Sequence, residues 1–426
     1  MTSLEFAHRS GDALLTLLDP DGRPLNDRDV VVEQRSHAFA FGNIGFDFIG
    51  LANAETQAPG GAVGSASPQN AARIAGLWFD VFNTATLPFY WGPFEPEPGR
   101  PDTTRLRRAA EWFAGHGCRV KGHPLLWHTL APDWLRKLPT EDVEARVRAR
   151  IRREVTGFAD VVRAWDAINE AVIMPVFRNE RQPNAITRLA WERGRIATVR
   201  LAFEEARAAD PTATLVLNDF DMSTAYECLI EGVLEAGVRI DALGLQSHMH
   251  QGYWGEERTL AVLERFARYG LPIHLTETTL LSGHLMPPEI EDLNDYQIPS
   301  WRSTPEGEER QAGEIVRHYR TLLSHPSVQA VTYWGLSDEG AWLGAPCGLV
   351  RADGTPKPAY DALRDLVKGE WWLAPTTLRT DDAGRVRVRG FLGDYRLQCA
   401  GDTATFTISA PGESETTLTP GRQSVA

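Results

Sequence analysis

The chain has 426 residues, 42% hydrophobic and 24% charged, which suits a globular protein able to bury one large core plus a smaller appendage. Its formal net charge of −13 argues against nucleic acid or an anionic membrane as partner, since both are held by basic patches. No window approaches the roughly 18 apolar residues of a membrane helix, and the four cysteines, Cys118, Cys228, Cys347 and Cys399, are scattered without metal-ligand spacing.

The opening stretch MTSLEFAHRSGDALLTLLD has no basic segment followed by an apolar one. That predicts a cytoplasmic protein, or a secreted one if a native leader precedes this sequence. Residues 10–35 read as two strands around an Asp-Pro-Asp-Gly turn. Eight short apolar runs, rich in β-branched and aromatic residues, then follow at 37–46, 82–89, 119–128, 162–171, 213–220, 242–249, 272–280 and 330–338. Helical patterns separate them, notably 103–117, the long amphipathic run 187–210, and 306–324. Strands alternating with helices predict a parallel sheet, and eight such units over residues 37–368 predict a closed (β/α)8 TIM barrel of the α/β class. A doubly wound open sheet is the rival, but the segment FGNIGF lacks the glycine spacing of a phosphate loop. From 369 to 426 the chain alternates strictly between apolar and polar residues, with Gly, Asp and Pro at the turns, which predicts antiparallel β structure. The expectation is that residues 1–36 and 369–426 pack together as one small β-sandwich beside the barrel. A structural cap is the favoured reading there, with a carbohydrate-binding module as the alternative.

In such barrels the carboxyl ends of the strands face the active site. The third run ends in GHPLLWH, with His123, Trp127 and His128, and the fourth in Asn169-Glu170. The fifth ends in Asn218-Asp219, the sixth in Gln246-Ser247-His248, the seventh in Thr276-Glu277, and the eighth in Trp334, with Asp338 and Trp342 just beyond. Glu170 and Glu277 stand across the mouth from each other. Two carboxyl groups about 5–5.5 Å apart suit retaining glycoside hydrolysis, one protonated to assist the leaving oxygen and one ionised to attack. Asn169 is positioned to bind a sugar hydroxyl, and His248 to hold Glu277 ionised. Tryptophans supply flat faces for sugar rings, and the chain has 13.

Each assignment has a plainer competitor. Glu170 and Glu277 could be unrelated surface carboxylates, although both follow apolar strands. Trp334 and Trp342 could be plain core, and Asp219 and Asp338 helix caps. Trp254 and Trp301 lie in loops where either could stack on a sugar. His123, His128 and His248 lie on only two strands, so a metal centre is not expected. The two carboxylates suffice for the chemistry, so no cofactor is implied. The expected partner is a carbohydrate, with the oligomeric state left open.

The motifs GHPLLWH, WDAINEA, LGLQSHMH, HLTET and TYWGLSDEGAW, followed by GLVRADGTPKPAY, resemble in order those of glycoside hydrolase family 10, the retaining endo-β-1,4-xylanases. The resemblance spans roughly residues 37–368. It implies that Glu170 is the acid/base and Glu277 the nucleophile. It also implies that His123, Trp127, Asn169, Gln246, His248 and Trp334 line the subsite of the cleaved sugar, with Trp342 and Tyr90 as further candidate contacts. Two departures stand out. The family shows Thr-x-Glu-Asn-x-Met-Lys-Trp at its second strand, whereas here Leu87, Pro88, Phe89 and Tyr90 replace the polar grip on the sugars. That opens a second reading, an exo-acting or aglycone-directed β-glycosidase acting on a small glycoside. A non-catalytic sugar-binding relative is a third. The family also shows Thr-Glu-Leu-Asp after the nucleophile strand, whereas here Thr276-Glu277-Thr278-Thr279 stands. Thr279 carries no charge to support the histidine at the nucleophile, which predicts a displaced pH profile.

Overall fold

A computed structural model describes residues 4–56, 67–178 and 184–421. Two strands come first, β1 (Ser10–Leu17) and β2 (Asp29–His37). The barrel strands then begin with β3 (Ala40–Ile44), β4 (Thr84–Pro88), β5 (Arg119–His123) and β6 (Val162–Asn169). They continue with β7 (Thr214–Asp219), β8 (Ala242–Leu245), the short β9 (His248–Met249), β10 (Ile273–Leu280) and β11 (Val328–Tyr333). Leaving β9 aside, they pair in parallel around a ring, and β11 pairs back onto β3 to close it. Helices such as Pro68–Val81, Thr140–Phe158, Arg195–Ala209 and Pro305–Ser324 cover the outside. The fold is therefore the (β/α)8 barrel expected from the alternating runs.

Local details depart from the sequence reading where neighbours in space decide. The run 187–210 forms two helices, Ala185–Arg193 and Arg195–Ala209, broken at Gly194, whose φ of +85° a residue with a side chain rarely adopts. β1 and β2 are not a hairpin. β1 lies between β13 (Arg385–Phe391) and β16 (Gly412–Leu418), while β2 lies between β12 (Thr376–Arg379) and β14 (Gly393–Cys399), which pairs on with β15 (Asp402–Ile408). The first and last segments thus build two sheets. Alternate residues of both meet in one apolar core containing Leu15, Leu17, Val30, Val32, Val388, Leu397 and Ile408. Pairing here is antiparallel as expected, except that β16 runs parallel to β1.

Alternation of side chains within the barrel strands explains what reaches the site. Trp165 on β6 points outward, packing on Phe89 with ring centroids 4.7 Å apart and against Gly122, where a Cβ would come within 2.1 Å of the indole. The neighbouring positions Lys121, His123 and Asp166 therefore point inward. They place an ion pair inside the barrel, with Lys121 Nζ 2.8 Å from Asp166 Oδ1 and the Asp166 side chain fully buried.

Candidate active site

Asn169 and Glu170 are consecutive residues and would point to opposite faces of a regular strand. Glu170 escapes that rule because its φ is +56°, a left-handed corner that ends β6. Such a conformation in a residue with a side chain costs on the order of 1 kcal/mol or more and persists only where neighbours enforce it. Here the Glu170 amide donates to the Asn218 carbonyl oxygen (2.9 Å), and the Glu170 carbonyl oxygen accepts from the Met174 amide (3.1 Å). The corner brings both side chains to one place. Gln246 Nε2 donates to Asn169 Oδ1 (3.2 Å) and to Glu170 Oε1 (3.1 Å).

From there a continuous hydrogen-bond network crosses the mouth. Trp127 Nε1 donates to Glu170 Oε2 (2.8 Å), and Asn169 Nδ2 to Glu170 Oε1 (3.2 Å). Asn218 Nδ2 donates both to Asn169 Oδ1 (2.6 Å) and to Glu277 Oε1 (2.9 Å). The Asn218 amide is oriented by Thr276, whose hydroxyl donates to its Oδ1 (2.6 Å). His248 Nε2 lies 3.0 Å from Glu277 Oε2. His123 Nδ1 lies 2.7 Å from Asp166 Oδ2, so its other nitrogen is left to face the site.

The two carboxyl groups are driven apart in protonation. Burial, and next the negative charge of Glu277, push the Glu170 carboxyl up to about 8. Burial pushes Glu277 upward as well, but the imidazoles of His123 and His248 outweigh it and leave its pKa below the ordinary carboxylate value. Asp219, mainly through burial, is pushed up to about 7.

Aromatic rings frame this network. Trp334 packs edge-on to His123 (5.2 Å between centroids) and His248 (6.0 Å), and Trp342 lies 4.8 Å from His248. Tyr90 packs on His123 (5.7 Å) and Trp127 (5.6 Å). All ten candidate residues, His123, Trp127, Asn169, Glu170, Gln246, His248, Glu277, Trp334, Trp342 and Tyr90, are thus joined in one cluster through these contacts. His128 stands just behind, its Nε2 3.8 Å from Glu170 Oε2. Burial pushes its imidazole down to about 3.

Several alternatives left open by the sequence can now be placed. Neither Asp219 nor Asp338 caps a helix. Asp219 Oδ2 accepts from the Val172 amide (3.0 Å), and the following helix is capped by Ser223. Asp338 forms a buried ion pair with Lys357, whose ammonium also donates to Ser282 Oγ (2.9 Å) and the Gly348 carbonyl oxygen (2.8 Å). Trp301 is no loose platform: it is buried and donates to the His284 carbonyl oxygen (2.9 Å). Trp254 packs against the main core with Arg258 over its ring at 5.2 Å. Of the four altered residues at β4, Leu87 and Phe89 belong to the core, Pro88 is buried in register with His123, and Tyr90 packs on the site rings. Thr279 turns its hydroxyl to the Met249 amide (3.0 Å), and His248 Nδ1 is buried with no hydrogen-bond partner among the described residues. Among the described residues no three His, Cys, Asp or Glu side chains gather as metal ligands would.

Three contributors were missed: Asp166, Lys121 and Phe46. The first two carry a signal in hindsight, a charge at an inward-alternating position of an apolar strand. Phe46 carries none, because its contact with Trp334 (5.7 Å) joins residues from opposite ends of the barrel sequence.

Comparison with known proteins identifies the family. The model of glycosyl hydrolase family 10 matches residues 56–366. An endo-1,4-β-xylanase/feruloyl esterase of Xylanibacter ruminicola is 29% identical over 301 residues, 62% of this chain and 39% of that protein. This chain therefore spans well under half of that relative's length. Endo-1,4-β-xylanase B of Thermotoga neapolitana is 27% identical over 297 residues, 65% of this chain and 78% of that one. Among solved structures, a family 10 structure from Paenibacillus barcinonensis superposes with a TM-score of 0.62 at 25% identity, covering 77% of this chain and 95% of the other. Xylanase 10B of Thermotoga petrophila, solved in complex with xylobiose, also gives 0.62, at 23% identity over 78% and 95%. A closed barrel and a family match over most of its length make this chain a member of glycosyl hydrolase family 10.

Proposed function

We propose that the protein hydrolyses β-1,4-xylosidic bonds of xylan or xylo-oligosaccharides with retention of configuration. The observation that carries this reading is the opposed protonation of two glutamates in one network: Glu170 pushed up to about 8, Glu277 held below the ordinary carboxylate value. In the first step Glu277 attacks the anomeric carbon while Glu170 gives its proton to the departing glycosidic oxygen. A covalent glycosyl-enzyme forms. Glu170, now ionised, takes a proton from water, and the resulting hydroxide oxygen displaces Glu277 from the sugar. Asn218 and His248, bonded to the two oxygens of Glu277, orient the nucleophile, and Trp127 and Gln246 orient the acid. Product analysis tests the reading. Xylan, graded xylo-oligosaccharides and aryl β-xyloside, β-glucoside and β-galactoside are incubated with the protein, with Glu277→Ala as control. Cleavage of a xylosidic bond, absent in the variant and giving the β-anomer first by NMR, is the expected result. Cleavage of only a non-xylose glycoside would overturn the choice of sugar. No turnover of any substrate would leave a sugar-binding protein.

A second reading, an exo-acting or aglycone-directed β-glycosidase taking short substrates, is favoured by Tyr90, which stands where the resemblance leads one to expect the polar Glu-Asn-Lys grip.

A further inference from the structure

We propose that Tyr90 and Phe46 close the glycone side of the site after a single sugar, so that the enzyme takes one residue at a time from non-reducing ends. This rests on the hydrolase reading above. The rings belong to four neighbouring strands in barrel order: Trp334 follows β11, Phe46 follows β3, Tyr90 follows β4, and His123 with Trp127 follows from β5. Each touches the next. Phe46 packs edge-on to Trp334 at 5.7 Å and to Tyr90 at 5.9 Å, and Tyr90 lies 5.7 Å from His123 and 5.6 Å from Trp127. At such centroid separations neighbouring rings are in contact, and no sugar ring passes between them.

This arc lies on the side that a longer glycone would need. Glu170, just past β6, gives its proton to the leaving group, which therefore lies on its side, and the family resemblance puts the grip on the glycone sugars at the second barrel strand, β4, which lies between β3 and β5. At the end of β4 a second sugar meets little to bind, because Leu87 and Phe89 are core and Pro88 is buried and carries no polar side-chain atom. A second sugar pushed there would leave its hydroxyls unpaired. Phe46 cannot easily retreat either. The preceding Gly45 sits so close to Phe113 that a Cβ would come within 2.5 Å of its ring, and Phe48, two residues on, is fully buried against Trp78 and Phe113. Tyr90 lies within charge reach of Glu277, Glu170 and Asp166, so its hydroxyl belongs to the pocket of the first sugar. It stays protonated there, a donor for a hydroxyl of that sugar.

The test compares an aryl β-xyloside with the corresponding aryl β-xylobioside on the full chain, and follows the first product from xylotetraose. The expected result is a kcat/KM at least roughly tenfold higher for the xyloside, a discrimination within reach of steric exclusion, and xylose as first product. A xylobioside cleaved as fast or faster, or xylobiose released first, would overturn the wall while leaving the hydrolase intact. Removing the rings in Phe46→Ala/Tyr90→Ala should bring the ratio close to one or invert it, and Tyr90→Phe should keep it. An unchanged ratio in a folded double variant would mean that other residues close the site. Should neither glycoside be turned over, the hydrolase reading fails. The dissociation constants of the same two glycosides then decide the wall alone, tighter xyloside supporting it and tighter or equal xylobioside removing it.

Discussion

Glu170 sets two measurable properties through one buried proton. On the mechanism proposed above, the bond-breaking step needs Glu170 protonated and Glu277 ionised, so kcat/KM should trace a bell against pH. Its acid limb falls as pH drops through the depressed pKa of Glu277, and its alkaline limb falls as pH rises through about 8, where Glu170 loses its proton. A profile already falling well below that value would show that another group carries the acid. The same shift bears on stability. A carboxyl whose folded pKa lies above its unfolded one favours the fold at low pH, and that contribution is lost as pH rises toward about 8. Glu170→Gln should therefore gain melting temperature relative to wild type as pH rises from about 5 to about 9, read by calorimetry at both ends. It should meanwhile lose roughly 10²–10⁴ in turnover of unactivated glycosides. Both glutamates were conspicuous in the sequence because each comes late in an apolar run, Glu170 just past β6 and Glu277 in the second half of β10, where barrel strands reach the mouth. Asp166 was not, since a charge in the middle of such a strand reads as noise until its partner, Lys121 on the next strand, is seen 2.8 Å away.

Among the elements, β5 and β6 are tied together inside the barrel by Lys121, Asp166 and His123. Asp166→Asn would leave the Lys121 ammonium buried without its counter-charge, which should cost about 3–5 kcal/mol. Replacing both partners, as in Lys121→Met/Asp166→Leu, should restore much of that stability in urea unfolding while kcat stays low, because His123 has lost its tether. A double variant no more stable than the single would show that the ion pair is not what the single change breaks. At this scale the strands were easier to find than their ends and partners. Each barrel strand lies within or overlaps its apolar run, because period and composition are local properties. The separate sheets of β1 and β2 depend on contacts far along the chain, which periodicity does not report, and the break at Gly194 rests on one left-handed glycine inside an otherwise continuous apolar period.

At the scale of the whole molecule, the terminal strands and the barrel form one interlocked body. Arg9, almost fully buried, donates from Nε to the Leu323 carbonyl oxygen (3.1 Å) and from Nη2 to that of His325 (2.7 Å), at the end of the helix Pro305–Ser324. Phe6 and Phe391 belong to the barrel's own core cluster. A chain cut after Trp371 would keep the barrel strands but strip β1 and β2 of their partners and uncover Leu15, Leu17, Val30 and Val32. Such a truncation should be recovered as aggregate, and the full chain should melt in one transition. A soluble, active truncation would show the barrel to be independent. The antiparallel character of the last segment was readable from strict alternation, but the parallel seat of β16 beside β1 was not, since it joins the two ends of the sequence. That seat also imposes a schedule on biosynthesis. β1 is complete at Leu17 and must await β13, which starts at Arg385. At about 5–20 residues per second on the ribosome, that is a delay of roughly 20–70 s. Throughout it two nascent strands hang with bare edges, so the growing chain depends on being shielded until its last segment emerges.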